Sequence, residues 1–308
     1  MNTSPLPGAP RRLRSTCSTA AVVAALLLTT ACGPGGDASA DAQPATGAPA
    51  VPVDTAAAQL LPSPIKASKT LRVAIPTNEP PVQFYREGTK EMTGVNPDLA
   101  RLIGQALGVT VDIKVVNFDQ IIPGIAAGRY DLTVSSMTPT AERMKVLDFV
   151  DYLQIGTSVA VPKGNPLKLD QNSLCGKRVG VLTGSYQLTV DVPTLDKACS
   201  AAGQPKIATG QYQDTRQAVS ALTSGRQDAV LADSPILSYA AKQNPAIAVA
   251  STYEFAPVGV GMPKSSGLVQ AVAPALKSLI TTPAYRKALA TYGLESGAVT
   301  DARVNAAQ

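Results

Sequence analysis

Hydroxyl side chains and a single arginine follow the short apolar segment of residues 130–133. Ser135, Ser136 and Thr138 can donate hydroxyl protons, and Arg143 carries a planar guanidinium that can bind a carboxylate through two parallel hydrogen bonds. Hydrogen bonds to charged groups stabilise by about 1.5–3 kcal/mol each, compared with about 1 kcal/mol for a neutral pair. Because the apolar segment is typical of a buried strand, we expect these side chains at one edge of a sheet, arranged to hold a carboxylate.

A second interpretation of the same segment is purely structural. A short surface helix that carries Arg143 would need a cap, and hydroxyl side chains are common helix caps. The segment alone favours neither the carboxylate site nor the capped helix. The elements around it are needed to distinguish the two.

Short apolar segments alternate with helical ones from Leu71 onward, a rhythm typical of α/β folds with helices on both faces of a sheet. Residues 98–107 place apolar side chains at helical spacing, and Pro97 suits a first helical turn. Pro274 lies inside the predicted helix 268–280, where proline is expected to kink or split the helix. The other predicted elements include strands at 71–75, 109–116, 178–182, 206–208 and 228–231 and helices at 119–127 and 283–292.

The order of the motifs around the arginine resembles the polar amino acid-binding proteins of ABC transporters, a family of bacterial extracellular solute-binding proteins. The resemblance extends from about residue 71 to residue 294. It is carried by Leu71-Arg72-Val73-Ala74-Ile75, Gly94, residues 98–107, Phe118-Asp119-Gln120-Ile121-Ile122-Pro123-Gly124-Ile125, Gly128-Arg129-Tyr130-Asp131 and Val146-Leu147-Asp148-Phe149. The family implies a protein that captures an amino acid and presents it to a membrane permease with its ATPase.

The fold implied by this resemblance is the two-lobed, type II periplasmic-binding-protein fold of the α/β class. Each lobe is a mixed sheet flanked by helices, and two hinge crossings let the lobes close on a ligand. The implied lobe 1 comprises residues 70–154 and 259–295, lobe 2 residues 158–252, and the hinge residues 155–157 and 253–258. We expect a monomer that needs no cofactor.

Lobe 2 is expected to supply the other side of the implied carboxylate site. This side consists of a strand, a tight turn and a helix start that contain Leu182, Ser185 and Tyr186. Backbone N–H groups of Ser185 and Tyr186 would face an anion there, although the turn alone is more typical of an ordinary helix cap. Relatives place at the position of Asp233 the acid that holds the α-ammonium group of the ligand, a role compatible with capping a helix. Opposite charges on Arg143 and Asp233 suit the zwitterionic head of an α-amino acid.

The pocket for the ligand side chain departs from the family pattern, although Phe118 matches the family's aromatic wall. Glu79 stands where many relatives have Tyr or Phe, Pro76 where several have aspartate, and Val95-Asn96-Pro97 replaces a common aromatic-acid pattern. A pocket carboxylate favours a ligand with a cationic or hydrogen-donating end, such as glutamine, arginine, lysine or ornithine, and disfavours glutamate. The alternative is that Glu79 faces solvent or binds loop amides.

Two further functions compete with amino acid capture. The same fold hosts a periplasmic cyclohexadienyl dehydratase, so Glu79 could act as an acid or base in catalysis. Related clefts also bind cationic compatible solutes. The amino acid clamp and the features of a lipid anchor, described next, favour a binding protein over an enzyme.

The amino terminus resembles a bacterial lipoprotein signal. Residues 1–14 are polar and basic, residues 20–28 are continuously apolar but too short to span a bilayer, and Cys32 follows small residues. This pattern predicts a signal peptide of residues 1–31, a lipid on Cys32, a flexible linker of residues 32–69 and a protein held on the outer face of the cell membrane. The alternative is an ordinary secretory signal in which Cys32 is incidental.

The remaining cysteines and the charge are consistent with an exported binding protein. Once the signal is removed and Cys32 is lipidated, Cys175 and Cys199 remain and are predicted to form a disulfide. The absence of histidine excludes His-dependent acid–base catalysis and most zinc chemistry, and we expect no metal site. The net charge falls from +5 to +2 when the leader, with three arginines and no acid, is removed, so the chain lacks the basic surface of a nucleic-acid-binding protein.

Overall fold

A computed structural model describes residues 51–306. Its strands are β1 (Thr70–Ile75), β2 (Phe84–Tyr85), β3 (Met92–Thr93), β4 (Thr110–Val115), β5 (Leu132–Met137), β6 (Leu147–Pro162), β7 (Arg178–Leu182), β8 (Ala208–Tyr212), β9 (Ala229–Asp233) and β10 (Ile247–Pro263). Its α-helices are α1 (Thr55–Gln59), α2 (Ser63–Ser68), α3 (Val95–Leu107), α4 (Ile121–Ala126), α5 (Val192–Ala201), α6 (Thr215–Thr223), α7 (Ser234–Gln243), α8 (Val269–Ile280) and α9 (Pro283–Thr291).

Eight strands form one mixed sheet in the order β4-β1-β5-β10-β6-β9-β7-β8, and β2 pairs with β3. β1 is parallel to β4 and β5, β7 is parallel to β8 and β9, and the long strands β6 and β10 run antiparallel between these groups. We call β4, β1 and β5 with α1–α4, α8 and α9 the first half, and β9, β7 and β8 with α5–α7 the second half. The predicted α/β class with a mixed sheet is confirmed.

Helix α3 shows how the sequence forms the first half. Leu99, Leu102 and Ile103 are buried on one face and pack into the main apolar core. The helix begins directly after Gly94, which has φ +116° and leaves no room for a side chain, because a Cβ there would lie 2.5 Å from the carbonyl oxygen of Val82. This close approach holds the loop between β1 and β2 against the start of α3.

Strand β5 lies between β1 and β10, and all of its residues are buried. Three of its buried residues, Thr133, Ser135 and Ser136, are polar, and the hydroxyl of Thr133 donates to the carbonyl of Ala74 on β1 at 2.7 Å. The strand is longer than expected, because Ser135 and Ser136 belong to it instead of following it. It ends at the cavity described below.

The flexible linker predicted for residues 32–69 is wrong for its final part. Helices α1 and α2 pack on the first half, with Ala57, Leu61 and Ile65 buried in its core. The N–H of Asp54 donates to the carbonyl of Ala106 at 2.8 Å. Apolar residues at intervals of four gave these short helices a face to bury, which a composition rich in Ala and Pro concealed. The signal peptide 1–31, Cys32 and linker residues 33–50 lie outside the described residues.

The residues predicted to form the hinge crossings lie inside unbroken strands rather than between separate ones. Residues 155–157 are part of β6, and residues 253–258 are part of β10. The pairing of β10 with β6 shifts register between Tyr253 and Ala256, and Glu254 has φ +51° at this irregularity. A bulge of this kind bends a strand locally.

The carboxyl-terminal segment extends beyond residue 295, where lobe 1 was expected to end. The carbonyl of Arg303 accepts the N–H of Asp151 at 3.0 Å, and Val304 bridges to Val150. The Arg303 side chain forms an ion pair with the buried Asp151 at 3.1 Å. These contacts cover the edge of β6 in the first half, which would otherwise present unpaired backbone groups.

Two local predictions can be compared with the structure directly. Pro274 does not split its helix, because α8 runs from Val269 to Ile280 with its apolar face buried against the first half. The loss of a single backbone hydrogen bond is outweighed by that burial. The predicted disulfide between Cys175 and Cys199 is confirmed, with Cα atoms 5.5 Å apart.

None of the helices within residues 51–306 combines the length and the apolar composition that a membrane span requires.

Candidate functional site

Every residue predicted to contact a ligand lines one small cavity between the two halves. These residues are Glu79, Phe118, Ser135, Ser136, Thr138, Arg143, Leu182, Ser185, Tyr186 and Asp233. The cavity is also lined by Gln187, Thr215, Ala232 and Ile236, which the sequence analysis missed. That these side chains bind a ligand stays a prediction, but the fold brings all of them together.

Ser136 is held at the end of β5 by a buried polar network. Its backbone has φ +53°, an uncommon conformation for a residue with a side chain. The hydroxyl of Tyr152 accepts the N–H of Ser136 at 2.8 Å and donates to the Asn96 Oδ1 at 2.7 Å, and the Asn96 Nδ2 donates to the Ser136 Oγ at 3.0 Å. Asn96, which departs from the family pattern, therefore supports Ser136 from behind the cavity.

Arg143 lies in a short 3₁₀ turn, Arg143–Lys145, and its side chain spans the two halves. Its Nη1 donates to the carbonyl of Thr138 at 2.8 Å, and its Nη2 donates to the carbonyl of Gly184 in the second half at 2.9 Å. The guanidinium lies 5.5 Å from the centre of the Phe118 ring. Burial lowers the pKa of Arg143 to about 10. Within residues 51–306 it forms no ion pair.

Glu79 is buried, with 4% of its surface exposed. Its carboxylate accepts the hydroxyl of Thr215 at 2.9 Å, the N–H of Thr215 at 3.3 Å and the side-chain amide of Gln83 at 3.0 Å. Burial raises the pKa of Glu79 to about 7, although the bonds from Thr215 act in the opposite direction. The solvent-facing alternative is therefore wrong, and Glu79 both lines the cavity and binds the start of α6.

Asp233 ends β9 and stands at the start of α7, but its side chain makes no hydrogen bond to that helix. Instead its carboxylate accepts the side-chain amide of Gln187 at 3.1 Å. Burial raises the pKa of Asp233 to about 6, against the lowering effects of the Gln187 bond and the positive charge of Arg143. The carboxylate thus faces the cavity and not the helix terminus.

The turn after β7 differs in detail from the expected anion site. The N–H of Ser185 donates to the carbonyl of Leu182 at 3.1 Å and closes the turn, and the Ser185 hydroxyl accepts the N–H of Leu188 at 3.1 Å as a helix cap. The expectation that the Ser185 N–H points at an anion is therefore wrong. The Tyr186 hydroxyl donates to Glu254 on β10 at 3.0 Å.

The residues missed by sequence reasoning are of two kinds. Gln187 and Thr215 are polar and follow recognisable strand-to-helix turns, so a search of both turns for side-chain donors would have found them. Ala232 and Ile236 are apolar and carry no chemical signal, and only the packing of β9 and α7 brings them to the cavity. Taken together, the site presents one buried cation, the buried carboxyl group of Glu79 and the partly buried carboxyl group of Asp233 to a small space. It can accept a ligand that carries one anionic and two cationic or donating groups.

A model of the family described as bacterial extracellular solute-binding proteins, family 3, matches residues 71–295. Arginine-binding protein ArgT of Corynebacterium glutamicum is 32% identical over 228 residues, which is 73% of this chain and 75% of that protein.

Solved structures of amino acid-binding proteins are also similar to this chain. An ancestral arginine-binding protein bound to arginine is 31% identical, with a TM-score of 0.66, covering 73% of this chain and 98% of that one. The ancestral amino acid-binding protein AncCDT-1, a precursor of cyclohexadienyl dehydratase, is 28% identical, with a TM-score of 0.65, covering 76% of this chain and 99% of that one. These likenesses confirm the predicted type II periplasmic-binding-protein fold.

Proposed function

Because the chain belongs to the bacterial extracellular solute-binding proteins, family 3, we propose that it captures a cationic amino acid, L-arginine first, between its two halves. It then delivers the amino acid to the permease of an ABC importer, which works with its own ATPase. The buried Arg143, the buried Glu79 and the partly buried Asp233 around a single cavity carry this proposal. Their charges match a ligand with one carboxylate, one α-ammonium group and one cationic end.

The α-carboxylate of the ligand binds beside Arg143, with the hydroxyl groups of Ser136 and Thr138 as further donors. The guanidinium donates to the carbonyl of Thr138 in the first half and to that of Gly184 in the second half, so its donors are held in place when the two halves are together. Fixed donors lose little entropy when they bind. The opposite end of the head, the α-ammonium group, binds the carboxylate of Asp233.

The side chain of the ligand extends toward Glu79 and the face of Phe118. A guanidinium there places a positive charge near a buried carboxyl group and over an aromatic ring. The relatives named for arginine binding support this choice of ligand. Glutamine, which offers donors without a charge, is the next candidate.

The two lobes that close on the ligand have the boundaries implied by the resemblance, and lobe 1 gains the segments that pack on it at both ends of the chain. Lobe 1 comprises residues 70–154 and 259–295 together with α1, α2 and the carboxyl-terminal segment, and lobe 2 comprises residues 158–252. The hinge is at residues 155–157 and 253–258. The register shift and the positive φ of Glu254 in β10 support bending at this place.

The protein acts outside the cytoplasm, as its family does. We propose that it is a monomer held on the outer face of the cell membrane by a lipid on Cys32, without a metal or cofactor. Residues 33–50 are the tether between this lipid and the folded body, which the structure describes from residue 51 onward.

A second candidate function has one observation in its favour. AncCDT-1 is described as a precursor of a dehydratase, and the pKa of Glu79 near 7 suits a general acid or base. The hydrogen bonds from Thr215 and Gln83 to Glu79 instead support a binding role, because they hold the carboxylate in one orientation at the wall of the cavity.

A thermal-shift screen tests the proposal. The panel contains the common amino acids, ornithine, a cyclic cationic compatible solute and a cyclohexadienyl substrate, which is also followed for turnover. We expect L-arginine to raise the melting temperature most, because a ligand that binds only the folded state stabilises it. A larger shift with the compatible solute, turnover of the cyclohexadienyl compound, or no shift with any amino acid would contradict it.

A further inference from the structure

A chain of hydrogen bonds leads from Asp233 to Asp191, an acid that does not line the cavity. The Gln187 Nε2 donates to the Asp233 Oδ1 at 3.1 Å and to the Thr157 Oγ1 at 3.1 Å. The Thr157 hydroxyl donates to the Asp191 Oδ2 at 3.0 Å. Gln187 and Asp191 begin and end one π-helical turn, and Thr157 lies directly opposite Asp233 on the neighbouring strand β6.

We propose that Asp191 is a positioning residue, which fixes the carboxylate of Asp233 toward the α-ammonium group of the ligand through Thr157 and Gln187. The assignment of that ligand group rests on the proposed function. The hydrogen bonds of the chain are made entirely between residues of the protein. Asp191, Gln187 and Thr157 are each no more than 4% exposed.

The direction of every bond in the chain follows from Asp191. A threonine hydroxyl has one proton, and the Oδ2 of Asp191 accepts it. The Thr157 oxygen must then accept, so the amide of Gln187 turns an N–H toward it and not its oxygen. The second N–H of the same nitrogen is directed at Asp233.

If Asp191 lost its acceptor oxygen, the hydroxyl of Thr157 and the amide of Gln187 would no longer be held in these orientations. Thr157 could then donate to the amide oxygen of Gln187, and the amide would rotate. Its oxygen would lie against the carboxylate of Asp233, where two acceptors repel each other. Asp233 would then bind an ammonium group less well, because the hydrogen bond from Gln187 that orients its carboxylate and stabilises its negative charge would be lost.

The charged and titratable groups around the chain are compatible with this role. Glu254 and Tyr253 of β10 face Asp191, and burial, with the charge of Glu254 as the next cause, raises the pKa of Asp191 to about 7. Arg143, Glu79 and Tyr152 face Asp233. Within residues 51–306, the hydrogen bond that the Asp233 carboxylate accepts comes from the Gln187 amide, so the orientation of that amide controls the carboxylate.

The first experiment uses the ligand-free protein, with its aspartate carboxyl carbons followed by NMR through a pH titration. The Asp233 signal is identified with Asp233→Asn. In Asp191→Ala, Thr157→Val and Gln187→Met, we expect the pKa of Asp233 to rise by about half a unit to one unit, the size of a lost hydrogen bond. Asp191→Asn and Thr157→Ser, which keep an acceptor and a hydroxyl, should restore the wild-type titration.

The second experiment separates positioning from general damage. L-arginine and 5-guanidinopentanoate, which lacks the α-ammonium group, are titrated into the same variants by calorimetry. The affinity for L-arginine should fall about tenfold in Asp191→Ala and Thr157→Val, while that for the analogue changes less than about twofold. Equal losses for both compounds would mean a merely structural role and would overturn the proposal.

The two experiments also separate this proposal from the proposed function. An unchanged Asp233 titration in all three disrupting variants overturns the positioning role, even if the wild type binds L-arginine. A shifted titration in a protein that binds no α-amino acid supports the positioning of Asp233 and contradicts the proposed function alone.

Discussion

The carboxylate of Glu79, in the first half, accepts both the hydroxyl of Thr215 at 2.9 Å and its backbone N–H at 3.3 Å, at the start of α6 in the second half. Beside this pair, the Asn78 side chain donates to Asp214, the residue that caps the same helix, at 3.3 Å. Glu79 therefore joins the two halves and lines the cavity between them. The carboxyl group of Glu79 can therefore contribute both to the closure of the two halves and to the choice of ligand charge.

Replacing Glu79 by glutamine should alter ligand preference. Glu79→Gln is expected to weaken L-arginine binding by about 1.5–3 kcal/mol, the contribution of a hydrogen bond to a charged group, and to reduce discrimination against glutamate. Calorimetry with L-arginine, L-glutamine and L-glutamate measures both effects. Glu142→Gln, at an exposed glutamate, is the control and should bind like the wild type. A wild type that prefers glutamate, or a variant with an unchanged profile, would show that Glu79 does not face the ligand.

The buried acids should make the ligand-free protein less stable as the pH rises. Burial raises the pKa of Glu79 from 4.5 to about 7, so between these values the folded state holds more protons than the unfolded state. The stabilisation is complete below pH 4.5 and is lost as the pH rises through about 7. Asp191 and Asp233, whose pKa values are raised to about 7 and about 6, act in the same direction.

Melting temperatures measured from pH 5 to pH 8 test this prediction. The wild type should melt at progressively lower temperature as the pH rises, and Glu79→Gln should show a shallower decline. A melting temperature that increases over this window, or parallel curves for the two proteins, would contradict the raised pKa of Glu79.

Strongly patterned regions of the sequence predicted the fold well, whereas contacts between distant segments were not predictable. Helix α3 and the disulfide followed from local spacing and cysteine count. The roles of Asn96 and Gln187 arise where separate elements meet, so no local pattern reveals them. The docking of α1 was missed because a short helix rich in alanine resembles a linker in composition, and its stability comes from tertiary packing.

The docking of the segment before β1 can be tested with two adjacent leucines. Leu61 is 3% exposed and Leu60 is 52% exposed. Leu61→Ala should lower the free energy of unfolding by about 2–4 kcal/mol, because it leaves a cavity in the core. Leu60→Ala should change it by less than about 0.5 kcal/mol. Denaturant unfolding measures both values, and similar small effects would show that the segment is not part of the folded body.

The lipid anchor is tested by metabolic labelling with a fatty acid. The wild-type protein should incorporate the label, while Cys32→Ala should not and should be released into the medium. The control is Cys17→Ala, since that cysteine lies in the proposed signal peptide. Label on Cys32→Ala, or its retention at the membrane, would contradict the anchor.

The most direct test of amino acid capture is calorimetric titration of L-arginine into the wild type and Arg143→Ala. The wild type should bind one equivalent, and Arg143→Ala should lose several kcal/mol of binding free energy, because the α-carboxylate would be buried without its partner. Arg226→Ala, at an exposed arginine outside the cavity, should bind like the wild type. Binding by Arg143→Ala within about tenfold of the wild type would contradict the account.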